Sequence, residues 1–268
     1  MAGLKVLATC ALLLTVTIAT RGDDEGGISA SEGGAYETDR PGEIENPFTV
    51  PVGGLEIIDY VVGENAPARE DAFGGEGSAV FMDTTLRVGV APRVEAILSV
   101  DSFLAENSLQ GSRPDSGFGY MTLAAKWNVL KDDEENCGIG LAPLVRIPIN
   151  RSIGGTARPE LGIIIPFEID LERGWDLQGS TGIAHSPEGS RDWTTQWENQ
   201  VSIERRLTNA LVGYLELQAE AGGGSTSWGT EFGLNWRVSK RAVADIGASI
   251  GIGKNRARTS YVGLGWRF

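Results

Sequence analysis

The feature that most constrains this chain is a period of two. In its last eleven residues, Arg258–Phe268 (RTSYVGLGWRF), Val262, Leu264, Trp266 and Phe268 are apolar and the residues between them are polar, small or amphipathic. Successive side chains of a strand point to opposite faces, so this spacing predicts a β-strand with one greasy and one wet side. Similar runs, about twelve of them, recur from Leu55–Gly63 to Arg258–Phe268 and are separated by turn-forming residues. In Ser78–Val90 the apolar side is Val80, Met82, Leu86, Val88 and Val90, against Asp83, Thr85 and Arg87. Arg158–Leu171 sets Leu161, Ile163, Ile165, Phe167, Ile169 and Leu171 against Glu160, Glu168 and Asp170. Ser227–Val238 sets Trp228, Phe232, Leu234, Trp236 and Val238 against Glu231, Asn235 and Arg237. Leu55–Gly63 and Trp175–His185 alternate poorly.

Beyond the N-terminus no apolar run approaches the ~20 residues a spanning helix needs. If the chain enters a membrane it must do so as a closed barrel, the other structure that satisfies every backbone polar group in lipid. The connections support this. Counted back from the C-terminus, every second one is short (Ser239–Arg241, Leu207–Asn209, Glu172–Gly174, Ala91–Pro92), with Lys131–Asn136 somewhat longer. Their partners, such as Asn65–Gly77 and Ala105–Ser116, are mostly longer and polar, whereas Gly222–Thr226 and Gly253–Ala257 are only slightly so. Outer-membrane barrels have short periplasmic turns and longer outer loops, and place aromatic girdles at both interfaces, as Trp127, Trp175, Trp193, Trp228, Trp236, Trp266 and Phe268 would at strand ends. The C-terminal run resembles the closing strand of bacterial outer-membrane barrels, where a terminal Phe preceded by alternating apolar residues is the assembly signal; that resemblance gives the role to Trp266 and Phe268. Taken alone, the run also suits the edge strand of a soluble sandwich. The expectation from the whole chain is an all-β, transmembrane, antiparallel up-and-down β-barrel of about twelve strands with both ends periplasmic.

Residues 1–20 read as a signal peptide: Lys5 precedes the apolar run Val6–Ala19. Cleavage there leaves Cys137 without a disulfide partner, and with His185 the sole histidine a zinc site is not expected. Lipidation at Cys10 is the alternative, weakened by a short apolar core and by Thr9. Residues 21–53 form a flexible, Pro-containing lead to the barrel mouth, and 54–268 form the barrel. Within the lead stand Thr38-Asp39-Arg40-Pro41, then Asn46-Pro47-Phe48-Thr49-Val50-Pro51 and Gly53-Gly54. This order resembles the opening of an outer-membrane transporter family labelled for the MetA pathway of phenol degradation. The resemblance implies passage of small molecules, among them hydrophobic or aromatic compounds, across the outer membrane. Proline lacks the N–H a sheet needs, so the lead either stays outside as an extended approach or folds back into the mouth and lumen.

On the inner faces, alternation places the acids Asp83, Glu95, Glu168, Asp170, Glu216, Glu220, Glu231 and Asp245, together with Glu56, Asp101, Glu160, Asp176, Glu198 and Glu204. It also places the bases Arg87, Arg93, Lys126, Arg146, Arg237 and Arg267 there. An excess of carboxylates would favour cations in an open pore. The same charges, paired across the lumen, would instead shut it. A net charge of −13 without a Lys/Arg cluster excludes nucleic acid as a partner. The partners expected are outer-membrane lipid, the barrel-assembly machinery and a small-molecule solute, with no cofactor and no metal. The acidic turn Asp132–Asn136 lacks EF-hand spacing. A closed structural or adhesive barrel acting through its outer loops is the second reading. A membrane hydrolase is a weaker third, because His185 and Ser186 are adjacent and so face opposite ways.

Overall fold

Alternation along the strands becomes inside and outside of a closed wall. The structure, a computed structural model, describes residues 46–66, 77–108, 116–132, 137–149, 158–188, 192–253 and 258–268. The expected signal peptide, the Thr38–Pro41 stretch and most of the long loops lie outside the described residues. The strands are β1 (Leu55–Ala66), β2 (Gly77–Ala91), β3 (Val94–Ser108), β4 (Ser116–Gly117), β5 (Tyr120–Asp132), β6 (Cys137–Pro148), β7 (Glu160–Leu171), β8 (Trp175–Glu188), β9 (Asp192–Arg206), β10 (Leu211–Gly222), β11 (Ser225–Arg237), β12 (Ala242–Ile252) and β13 (Arg258–Arg267). All pair antiparallel with their sequence neighbours, β1 closes on β13, and the two-residue β4 only caps β3. Setting β4 aside, twelve strands form the wall, each near a predicted run.

The seam between the first and last strands shows what the C-terminal pattern is for. Glu56–Asn65 runs in register against Arg267–Arg258, and the last residue, Phe268, donates its N–H to Leu55 O at 2.8 Å. Closure removes the sheet edges that would otherwise sit unpaired in lipid. The Phe268 ring itself points outward and is 62% exposed.

Burial is inverted relative to a soluble protein. The largest fully buried side chains are Arg87, Lys126, Glu56, Glu95 and Glu216, whereas Leu215, Leu217, Ile246 and all seven tryptophans are exposed. Among the described residues large apolar side chains stand exposed on most strands of the wall, whereas soluble monomers rarely expose a contiguous apolar patch above a few hundred Å². Lipid is the solvent that suits such a surface. Trp175, Trp236 and Trp266 lie at the short-turn end of their strands, and Trp193 and Trp228 lie toward the other end. Between these girdles the outward residues of β11 are Phe232, Leu234 and Thr230, whose hydroxyl is spent on Glu216 O at 2.9 Å.

The short turns fall where predicted: Pro92–Arg93, Glu172–Gly174, 207–210 and 238–241 all lie at the end that carries Leu55 and Phe268. One connection at the opposite end differs from its expectation. β10 and β11 are joined by Gly223–Gly224 alone, with φ 56° and 80°, so the hairpin there is as tight as those at the short-turn end. Two consecutive glycines supply the positive φ that a two-residue turn requires.

Candidate functional site in the barrel lumen

Pairing between strands, rather than any sequence motif, assembles the first part of the site. In β1, Glu56 stands opposite Arg267 on one side and Arg87 on the other; in β3, Glu95 stands opposite Lys126. The side chains then interlock. Arg87 donates from Nε and Nη2 to Glu95 Oε1 at 3.0 and 2.7 Å, and from Nη1 to Glu56 Oε2 at 3.1 Å. Lys126 Nζ lies 3.1 Å from Glu95 Oε1, and Arg267 Nη2 lies 3.7 Å from Glu56 Oε2. Glu56, Glu95 and Lys126 have no exposed surface at all. Buried charges persist only when partnered and hydrogen-bonded, and here each cation faces a carboxylate.

Residues 46–50 are bound to this cluster. Val50 donates its N–H to Glu95 Oε2 at 2.7 Å, Lys126 Nζ donates to Asn46 O at 2.9 Å, and Asn128 Nδ2 donates to Pro47 O at 2.9 Å. Arg87 Nη2 adds a longer bond to Phe48 O at 3.3 Å. The stretch of residues 46–50 therefore lies against the inner wall at the short-turn end. Pro47 and Pro51 keep it out of the sheet by lacking donors, so its carbonyls turn to side chains on the wall. The wall makes room with glycine. A Cβ on Gly89 would fall 2.1 Å from Pro51 O, and one on Gly138 would fall 2.9 Å from the Pro47 ring.

A second layer is aromatic. Tyr261 and Tyr214 donate their hydroxyls to the same oxygen, Glu231 Oε1, at 2.8 and 3.3 Å. Both rings pack with Val62, and Tyr60 and Phe81 rest against them. The tyrosines lie flat on the wall because Gly233 and Gly247 leave it bare, a Cβ at either position falling within 2.5 Å of a tyrosine oxygen. These residues were not foreseen. Tyr60, Val62 and Phe81 occupy inner positions that alternation reserved for polar residues, and that period carries no other sign of an apolar patch in the lumen.

The predicted lumen residues divide into two arcs. Arg87, Glu95 and Lys126 come together on β2, β3 and β5 as described. Across the interior, Glu168, Glu216, Glu231 and Asp245 are buried on β7, β10, β11 and β12, with Glu204 on β9. Glu216 is directly opposite Glu231 and accepts from Gln218 Nε2 at 2.9 Å. Toward the long-loop end, Asp83 faces Asp101, and Arg146 Nη2 lies 3.7 Å from Asp101 Oδ2 while its guanidinium sits 4.1 Å from the Tyr120 ring centroid. Glu220, opposite Glu198, is exposed there. Asp170 and Arg237 keep inward register but are exposed at the short-turn rim. Arg93 corrects its expectation: it occupies the Pro92–Arg93 turn with φ 63° and is exposed, because a two-residue turn takes the residue off the wall. His185 and Ser186 do face opposite ways, His185 Nδ1 pairing with Thr195 Oγ1 at 3.1 Å and Ser186 donating to Glu160.

The fold is shared widely among solved structures. An outer-membrane channel from Pseudomonas putida F1 superposes with a TM-score of 0.67 at 13% identity, over 87% of this chain and all of that one. The NanC porin gives 0.54 at 8% identity over 78% and 98%. The translocator domain of the autotransporter NalP from Neisseria meningitidis gives 0.52 at 12% identity over 80% and 88%. At such identities the likeness is one of fold, and channels and an autotransporter's translocator domain share it. Among curated proteins none matches. The sequence from residue 38 to residue 268 matches the model of one family, and the chain therefore belongs to the family described as "Putative MetA-pathway of phenol degradation".

Proposed function

We propose that the protein is an outer-membrane channel for small molecules, its short-turn end in the periplasm and its mouth there occupied by residues 46–50. The observation that carries this is the way the segment is held. Among the described residues its seat includes hydrogen bonds to Glu95, Arg87, Lys126 and Asn128 and, just beyond it, a parallel bridge from Val52 to Gly89 with main-chain bonds joining Gly53 and Gly54 to the same glycine. Such bonds contribute about 0.5–1.5 kcal/mol each when neutral and about 1.5–3 kcal/mol when charge-assisted, and those to residues 46–50 lie outside the wall's own strand ladder. The acidic arc of Glu168, Glu204, Glu216, Glu231 and Asp245 gives a conducting lumen a preference for cations. Tyr60 and Phe81, half-buried over the buried Tyr214 and Tyr261, would be the aromatic residues that hydrophobic or aromatic solutes meet on the inner wall. The family label and the outer-membrane channels and porins of like fold support the reading. Export through the signal at residues 1–20, and delivery to the barrel-assembly machinery through Trp266 and Phe268, complete it.

The test is single-channel recording of refolded mature protein in a planar bilayer, alongside a variant lacking residues 37–51. Discrete cation-selective steps, larger or more frequent in the deletion, are expected. The paired cluster of Arg87, Glu95, Lys126 and Glu56 supports the second reading, a shut structural or adhesive barrel. Silence from both proteins once insertion is demonstrated would establish that reading instead.

A further inference from the structure

One buried hydroxyl on the inner wall is left without a bond. Ser202 points inward from β9, between the outward, exposed Val201 and Ile203, and its own exposure is 0%. Among the described residues its Oγ has no hydrogen-bond partner. Ser180, inward on the neighbouring β8, shows the ordinary arrangement, its hydroxyl bonding the Gln200 side-chain amide at 3.1 Å. A polar group kept dry and unpaired is costly, so a ligand that supplies the missing bond gains from doing so.

Register decides what kind of ligand fits. Glu168 on β7 stands opposite Gln178 on β8, Gln178 opposite Ser202, Ser202 opposite Glu216 on β10, and Glu216 opposite Glu231 on β11. Ser202 is thus the centre of a row of five inward side chains, all more than nine-tenths buried. Neighbouring strands lie about 4.8 Å apart, which sets directly opposite side chains within reach of one small group. Gln218 Nε2 lies 2.9 Å from Glu216 Oε1 and steadies that carboxylate beside the hydroxyl. A cation that carries its own N–H donors suits the pair, one hydrogen going to Ser202 Oγ and another to Glu216. A hard metal ion such as calcium instead gathers about six to eight oxygens around itself. Among the described residues no three acidic, Cys or His side chains converge to hold one.

The row borders the aromatic layer. Tyr214 is two residues from Glu216 on the same face of β10, and the Tyr261 hydroxyl reaches Glu231. We propose that the Ser202–Glu216 step of the inner wall binds the ammonium head of a primary amine with an apolar body, the head donating to Ser202 Oγ and the Glu216 carboxylate and the body lying toward the aromatic layer. The inference rests on the channel reading for entry of solute into the lumen, and it narrows the solutes to organic ammonium ions.

Calorimetric titration of the refolded mature protein with benzylammonium at neutral pH tests it. Benzyl alcohol, which lacks the charge, and benzyltrimethylammonium, which lacks the N–H donors, serve as the comparison probes, and single-channel recording runs in parallel. Benzylammonium should bind at least about tenfold more tightly than either, and Ser202→Ala should weaken it about tenfold, with Glu216→Gln weakening it further. Ser202→Ala removes a hydroxyl that bonds nothing in the empty barrel, so the thermal midpoint without ligand should not move. A lowered midpoint would mean that the hydroxyl serves the wall and would overturn the site. Equal affinity for benzyltrimethylammonium would mean a diffusely acidic lumen with no donor-reading step, and wild-type affinity in Ser202→Ala would place the amine elsewhere. Conductance without benzylammonium binding would leave the channel reading and overturn the site, with water alone meeting Ser202. Binding without conductance would keep the site and overturn the channel reading, and the absence of both would remove the two together.

Discussion

Glu95→Gln is the perturbation that most directly probes how the mouth is held. Glu95 is fully buried, accepts the Val50 N–H, and is the carboxylate shared by Arg87 and Lys126. Glutamine preserves the volume but removes the charge, and its amide brings two hydrogens toward cations that also donate. Losing one partner of a buried ion cluster costs about 3–5 kcal/mol when the remaining charge stays dry. Released of its segment, the mouth admits water, which solvates Arg87 and Lys126, so most of that cost falls on the seated state. The charge-assisted bond to Val50, about 1.5–3 kcal/mol, weakens as well. Taking only about 2 kcal/mol of the total as bearing on seating, the seated-to-released ratio falls about thirtyfold, since about 1.4 kcal/mol is a factor of ten. The assay is single-channel recording at fixed voltage, with thermal unfolding measured in the same detergent. Open dwell time should lengthen by more than tenfold with little change in barrel stability, because the twelve-strand ladder is untouched. Unchanged gating in a folded Glu95→Gln channel would refute the assignment of Glu95 as the anchor.

Other outcomes follow from the same geometry. Gly89→Ala sets a methyl group where Pro51 O lies, so it should unseat the lead and mimic Glu95→Gln in dwell time; wild-type gating would show that the lead is not held there. Arg in place of Ile165 or Leu234 puts a charge on the lipid face at about 2–4 kcal/mol near the midplane, and a reduced heat-modifiable fraction on gels is expected for both. Deleting Phe268 removes its closing bond to Leu55 O and an outward ring, so the assembled yield in cells should fall, whereas full yield would deny the residue a part in assembly. Tyr261→Phe frees one bond on Glu231 and should raise cation-over-anion selectivity, read from the reversal potential, with barrel stability changing by about 1 kcal/mol.

Much of the molecule could be read from its sequence. A strand's two-residue period is local, so each run carries its own evidence of direction and face, and twelve runs ending on Phe268 admit few closures. That is why Arg87, Glu95, Lys126, Glu216 and Asp245 could be set on the inner wall from alternation alone. Arg93 could not, because the same parity continues into a turn and says nothing of where the strand stops. Nor could the meeting of Glu56, Arg87, Glu95, Lys126 and Arg267, since it depends on which residues the register sets side by side on five strands spread over the chain. Charges of both signs meet on the β1, β2, β3, β5 and β13 side and buried carboxylates gather from β7 to β12, a division that strand order sets and no single strand carries. The tyrosine layer on Gly233 and Gly247 belongs to the structure alone, whereas the seating of residues 46–50 on the wall is one of the two courses the sequence left open. Period-two hydrophobicity is written residue by residue along one strand, whereas what meets across a lumen is set by strand order and stagger, and only closure of the barrel fixes those.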